Sequence, residues 1–471
     1  MASMNTSRVL FIAPPNRVTS QLLPDLGVGF CASALREKLY LVDFVDMTRD
    51  SIGSEELANR LRKYDYLMVG IKLFSPFINE AAAIIDVIRT ASPKTKIVLG
   101  GPHPTYAGEH SLIAFKDVDA AVMGEGEKAI VDLADSFQAG KSIKDIESIC
   151  YRDENGSVVV NTKKAFLNIE EIPSPAWDLI DPRRYQKYEH LWFFSKGKTI
   201  APISVSRGCP FKCTFCTDFI TAGRSVRYRK IADVIDEIQL LRSQYGVDEI
   251  HLTDSIFTIN RKYAYEFCET LIRKKIKIHW ATPYGTRLDT LDAPLLRIME
   301  EAGCYGTSVG IESGSQRVLD FMKKGITKEK VEEKLNLIKE TTNFLVQGFF
   351  IIGYPTEDRD TMKETIDFSL RIPLDMAMFA PFRVTPGTEV ANYLEENEPE
   401  SAPDWNSQTL EKVDYIPRGM TRDELMEWHR KAYRSFYIRP QVIWNFMKMA
   451  RGKKQMRILA NKFKKRILRT I

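Results

Sequence analysis

Two blocks of alternating strand-like and helix-like segments constrain this chain more than any other feature. In the first block, Arg8 to Ala13, Leu41 to Asp46, Tyr66 to Ile71, Lys96 to Leu99 and Ala120 to Met123 read as strands. Between them, stretches such as Glu80 to Arg89 place apolar residues three and four apart and read as helices. Alternation of this kind predicts a doubly wound parallel sheet covered by helices on both faces. Sheets of that type bind ligands beyond the carboxyl ends of their strands. The second block starts at Ile200, with strands near Ile200 to Val205, Glu249 to Leu252, Ile278 to Ala281, Thr307 to Ile311, Phe344 to Ile352 and Ala377 to Pro381. Helices are expected at Ile231 to Ser243, Lys262 to Arg273, Ala293 to Glu301, Lys328 to Thr341 and Arg359 to Arg371. Six such units predict a partial (β/α)₆ barrel.

Between the blocks, Ile149 to Arg152 and Ser157 to Val160 form an expected hairpin through Asn155-Gly156. A proline- and aromatic-rich segment without clear period follows and reads as a linker packed across two domains. The expected division is 1–140 for the first sheet, 141–195 for hairpin and linker, 196–400 for the barrel, and 401–471 for a helical C-terminal region. A length of 471 residues fits about three modules at roughly 150 residues each. The longest apolar runs, such as Phe349 to Ile352, fall far short of the ~20 residues needed to span a bilayer. Val9 to Ala13 has the look of a short signal core, but Pro14-Pro15 ends it, so a cytoplasmic start is expected.

Seven cysteines, an odd number, argue against a disulfide framework. Cys31, Cys150, Cys268 and Cys304 are scattered and read as small core side chains. The other three share one loop, Ser206-Arg207-Gly208-Cys209-Pro210-Phe211-Lys212-Cys213-Thr214-Phe215-Cys216, directly after the strand at Ile200. Three soft thiolates so close together suit an iron–sulfur cluster or zinc. A zinc site would need a distant fourth ligand, and the nearest histidines are His190 and His251. Three ligands leave one iron of a [4Fe–4S] cluster open.

Over about Ile200 to Pro386 the chain resembles the radical SAM superfamily, whose Cys-x₃-Cys-x₂-Cys loop follows the first barrel strand and carries an aromatic residue where Phe215 stands. Further family-like motifs sit at strand ends: Asp254, Arg287, Gly310-Ile311-Glu312-Ser313-Gly314, Gly353-Tyr354-Pro355 and Pro386-Gly387-Thr388. The resemblance implies a [4Fe–4S] cluster on Cys209, Cys213 and Cys216, whose open iron chelates S-adenosylmethionine. It also implies one-electron cleavage to a 5′-deoxyadenosyl radical, in a site that excludes water. Phe215, Asp254, Arg287 and Glu312 are the implied contacts of S-adenosylmethionine, with a barrel-end salt bridge as the other reading of Arg287 and Glu312.

The first block resembles, over about Arg8 to Gln138, the cobalamin-binding domain that precedes the barrel in one large radical SAM class. Leu99-Gly100-Gly101-Pro102-His103-Pro104-Thr105 and Gly124-Glu125-Gly126-Glu127 end its fourth and fifth strands, and Ser75 follows the third. Paired glycines let a flat ligand approach the backbone. Ser75, Gly100, Gly101, Gly124 and Glu125 are therefore the implied cobalamin contacts. The Asp-x-His-x-x-Gly motif of methionine-synthase-type domains is absent, because that region reads Pro14-Pro15-Asn16-Arg17-Val18-Thr19-Ser20. Cobalt is then expected to lack a histidine from this loop, and His103 reads as a hydrogen-bonding residue. A sheet that binds no cobalamin is the alternative.

Charge is distributed unevenly. Trp428 to Ile471 holds fourteen Lys or Arg and no Asp or Glu, so the chain's net +5 leaves −9 on the rest. With Trp444, Phe446 and Met447 beside Arg451-Gly452-Lys453-Lys454 and Lys462 to Arg466, the tail suits an anionic membrane surface. A solvated helix face, or a tail docked on the acidic body, is the alternative. No recognised RNA-binding module accompanies the charge, so no nucleic-acid partner is expected. The reading is a cobalamin-dependent radical SAM enzyme for C-methylation, ring formation or rearrangement of an apolar, lipid-, isoprenoid- or tetrapyrrole-like molecule, with an electron donor such as flavodoxin or ferredoxin. Its location is cytoplasmic, peripheral to the membrane. A methylthiotransferase would need a second set of cysteines in the first domain, where only Cys31 and Cys150 occur. The rival from another class is a non-catalytic membrane-surface scaffold.

Overall fold

The computed structural model describes residues 7–17, 21–162, 166–190, 192, 194–401 and 415–449. The loop residues 18–20 and the basic clusters beyond residue 449 lie outside them. The first sheet contains β1 (Arg8–Ala13), β2 (Leu41–Asp46), β3 (Tyr66–Lys72), β4 (Lys96–Gly100), β5 (Ala120–Val122), β6 (Ile149–Arg152) and β7 (Val158–Asn161). Their order is β2-β1-β3-β4-β5-β6-β7, the first five parallel. Val9, Leu10 and Ile12 of β1 are all fully buried, as expected for a strand covered on both faces. The expected hairpin does not stand with the linker: β6 pairs antiparallel with β5 and extends the sheet. It thereby covers an edge that would otherwise expose unpaired backbone groups.

The second sheet contains β8 (Ile200–Ile203), β11 (Glu249–Leu252), β12 (His279–Thr286), β13 (Cys304–Glu312), β14 (Leu345–Ile352) and β15 (Met376–Pro381). Its order, β15-β14-β13-β12-β11-β8, is all parallel and sequential, so each β/α unit lies beside the one before it in a partial barrel. A short antiparallel pair, β9 (Ser206–Arg207) and β10 (Arg227–Tyr228), stands beside the cysteine loop. Local signals set the helix starts: Asp25 caps the helix Leu26–Glu37, and Asp358 with Thr361 forms a capping box on Arg359–Arg371.

The linker ties the two sheets together. Arg49 donates to the Leu179 carbonyl and the Tyr185 hydroxyl, while Trp177 donates to buried Glu237 on a barrel helix. The helix Arg422–Tyr437 covers the free edge of β15, where Tyr437 accepts from Ala377 N and donates to its carbonyl, and Tyr433 accepts from Phe379 N.

Candidate functional site

The cysteine loop is pinned at both ends. Gly208 has φ +106°, and a Cβ there would run into the Ser225 carbonyl, so glycine is required as the chain leaves β9. Cys209 N donates to Gly223 O at 3.0 Å, Thr214 N to Met322 O at 3.0 Å and Cys216 N to Cys213 O at 3.1 Å. The Thr214 and Tyr354 hydroxyls lie 2.7 Å apart in a buried hydrogen bond, and Phe215 meets the Tyr354 ring edge-on at 6.1 Å. The Gly353-Tyr354-Pro355 turn therefore holds the loop. Glu357 in turn holds that turn, accepting from Gly353 N at 2.6 Å and Tyr354 N at 2.9 Å.

Burial pushes all three thiols up, Cys216 to about 12, while Lys324 and Arg287 pull Cys213 back down. Metal ligation replaces protons on such thiols. Among the described residues, no three Cys, His, Asp or Glu side chains converge on a single metal ion. Three thiolates on one loop match the donor set of a cluster that spreads them over three irons.

Three of the four residues expected near S-adenosylmethionine gather at this loop. The Arg287 guanidinium stacks 3.6 Å from the Phe211 ring centroid, pairs with Asp289 at 2.9 Å and donates to Lys324 O at 2.9 Å. Glu312, at φ +68°, pairs with buried Lys324 at 2.6 Å. A Cβ at Gly310 would displace that pair, which explains the glycine. Phe215 is the third. Asp254 stands apart, its carboxylate accepting from Val205 N at 3.2 Å, from Ser206 N and from Ser206 Oγ at 2.5 Å. Burial raises its pKa to about 6, and its visible work is to fix the end of β8.

Beyond the carboxyl ends of β3, β4 and β5 lies a cavity of about 400 Å³, closed on its other side by β9 and the loop after β11. Gly100, Gly101, Gly124, Glu125 and Asp254 line it. A second cavity of about 560 Å³ at the ends of β1, β2 and β3 shares Gly27, Lys72 and Thr253 with the first. Phe74, Phe77 and Tyr284 furnish its aromatic wall.

The individual residues differ in what they contribute. A Cβ on Gly100 would meet nothing within 4 Å, so this glycine opens the cavity. Gly101 has φ +95°, and its Cβ would press on Leu73 O at 3.2 Å, so it serves the turn. Gly124 faces the Thr221 carbonyl of the barrel domain, a close approach of two backbones. Glu125 is buried and paired with Arg227 at 2.7 Å and Arg207 at 3.5 Å, which ties the domains together. Ser75 does not line the cavity; its hydroxyl lies 3.0 Å from His103 Nδ1. Burial lowers His103 to about 4, consistent with a neutral hydrogen-bonding ring. No local signal marks Lys324 or the Lys72–Asp25 pair at 2.5 Å, since each contact forms only when the chain folds back past a strand end.

The sequence profile of the B12 binding domain matches residues 16–134, and that of the radical SAM superfamily matches residues 203–369. An uncharacterized methyltransferase of Pyrococcus horikoshii is 30% identical over 448 residues, 93% of this chain and 94% of that one. The anaerobic magnesium-protoporphyrin IX monomethyl ester cyclase of Cereibacter sphaeroides is 29% identical, covering 88% of this chain and 67% of its own. Among solved structures, the cobalamin-dependent S-adenosylmethionine radical enzyme OxsB, with aqua-cobalamin and S-adenosylmethionine bound, superposes with a TM-score of 0.78 at 18% identity. That match covers 99% of this chain and 72% of OxsB. The methyltransferase TsrM of Kitasatospora setae, with cobalamin and a [4Fe–4S] cluster, gives 0.74 at 18% identity over 93% of this chain and 90% of TsrM. The chain belongs to the radical SAM enzymes that carry a cobalamin-binding domain.

Proposed function

We propose that the protein uses a [4Fe–4S] cluster, S-adenosylmethionine and cobalamin to methylate or cyclise an apolar substrate, drawing electrons from a small redox protein and working at a membrane surface. The observation that carries this is the pair of adjoining cavities between the sheets, the first of them lined by Arg207, Gly208 and Asp218, which flank the cysteine loop on the barrel side. When bound, the cluster, once reduced by the redox partner, would supply the one electron needed to split a carbon–sulfur bond of S-adenosylmethionine, and the corrin would carry a methyl group.

The chain's own residues do the rest. Cys209, Cys213 and Cys216 release protons and hold three irons. Arg287, Glu312 and Lys324 offer two cations and a carboxylate beside the loop, suited to the carboxylate and the amino or hydroxyl groups of S-adenosylmethionine. Asp254 keeps β8 in place beneath it. Gly100, Gly101 and Gly124 let cobalamin approach the first sheet's backbone, while the Glu125–Arg227 pair locks that sheet to the barrel. The Phe74, Phe77 and Tyr284 wall supports an apolar substrate: Phe74 is 38% and Tyr284 40% exposed inside a concave site. The relative named for magnesium-protoporphyrin IX monomethyl ester cyclisation suggests tetrapyrrole-like molecules as the first to try.

The test is anaerobic 5′-deoxyadenosine release by reduced, cobalamin-loaded enzyme, with fractions of a cell extract added. Organic-phase fractions should raise release severalfold above the uncoupled rate, and aqueous fractions should not. The reverse pattern would remove the apolar assignment.

A further inference from the structure

The helix Pro440–Met449 packs on the body through Val442 and leaves apolar side chains exposed. Among its described residues only Val442 is buried, at 2% exposure, whereas Ile443, Trp444 and Met447 are 37%, 55% and 48% exposed. Ile443 and Met447 are four residues apart, and Trp444 flanks them, so the three form one apolar face. The preceding helix, Arg422–Tyr437, behaves oppositely and buries Leu425, Ala432, Phe436 and Tyr437. A single exposed hydrophobe is ordinary, but a contiguous apolar face on a terminal helix marks an interaction site.

The charge of this part of the sequence says what covers the face. No Asp or Glu occurs after Glu427, and residues 450–471 add nine Lys or Arg. A second copy would set two such cationic segments against each other. Nucleic acid would satisfy the cations and leave Ile443, Trp444 and Met447 in water. An anionic bilayer satisfies both, with apolar side chains entering the headgroup boundary and cations meeting lipid phosphates. No helix among the described residues is long and apolar enough to cross a membrane, so the contact is interfacial.

We propose that Ile443, Trp444 and Met447 enter the interface of an anionic bilayer, drawn to it by the excess of Lys and Arg in the sequence from Trp428 onward. This locates the membrane surface of the functional reading, yet it uses none of the cofactor residues and stands or falls separately from them. The remaining chain is net acidic and would be repelled by the same surface, so the contact also orients the enzyme.

The experiment mixes the holoenzyme with phosphatidylcholine vesicles, with and without phosphatidylglycerol, at low and physiological salt. The enzyme should sediment with the anionic vesicles, and its tryptophan emission should shift to the blue. Trp444→Phe should keep binding and lose most of that shift. Ile443→Ser with Met447→Ser should weaken binding about tenfold. Lys464→Gln, Lys465→Gln and Arg466→Gln together should weaken it about a hundredfold at low salt, about fivefold per cation, and flatten its salt dependence. S-adenosylmethionine cleavage should be unchanged in all three. No sedimentation of wild type at low salt would overturn the proposal. So would binding indifferent to both the apolar and the cationic variants, or capture by single-stranded RNA with vesicles ignored.

Discussion

Anaerobic reconstitution of the wild-type chain should yield one [4Fe–4S] cluster, and Cys213→Ala should yield none. On the proposed reading the three thiols of this loop are the protein ligands, so removing one would leave an iron held by sulfide and solvent alone. Cys213 is only half-buried, and the loop's backbone bonds run through Cys209 N, Thr214 N and Cys216 N, so the variant should still fold. Cys268→Ala is the control: that thiol is fully buried on the helix Arg261–Arg273, and the variant should bind a full complement. Iron and acid-labile sulfide analysis reads the outcome. Full retention of both in Cys213→Ala would remove the loop from the account.

The second large effect is expected at Gly100. Its missing Cβ faces open cavity and its φ lies outside the left-handed region, so a side chain there enters the cavity without straining the backbone. Gly100→Phe should lower cobalamin affinity by about a hundredfold, about 2.7 kcal/mol, with thermal stability within a few degrees of wild type. Gly101 is the poorer probe. At φ +95° any larger residue is strained, and lost binding there would not separate blockage from misfolding. Equilibrium dialysis with hydroxocobalamin decides the matter, and unchanged affinity in Gly100→Phe would place cobalamin elsewhere.

The strands were legible because parallel strands buried on both faces are short continuous apolar runs, and β1 and β2 match them end to end. The hairpin was legible as a hairpin, but its partner was not, because nothing local in Ile149 to Arg152 encodes the open edge of β5. The cysteine loop could be read because its spacing lies within eight residues. Its surroundings could not. Lys324 meets Glu312 only because the chain returns past the strand end after the helix Gln316–Phe321, and Glu125, expected to contact cobalamin, pairs with Arg207 and Arg227 from the other domain. Ser75 was placed by its position after a strand, yet His103 takes its hydroxyl. Polar side chains at strand ends have several partners within reach, and only the packing of the two domains chooses among them.

The most direct test of the central claim is a single preparation of reconstituted enzyme in which iron, sulfide, cobalt and 5′-deoxyadenosine are all counted. The account predicts one [4Fe–4S] cluster and one cobalamin per chain, with reductant-dependent conversion of S-adenosylmethionine to 5′-deoxyadenosine and methionine that disappears in Cys213→Ala. A protein that binds one zinc and no labile sulfide, or cleavage that survives loss of that cysteine, would contradict it.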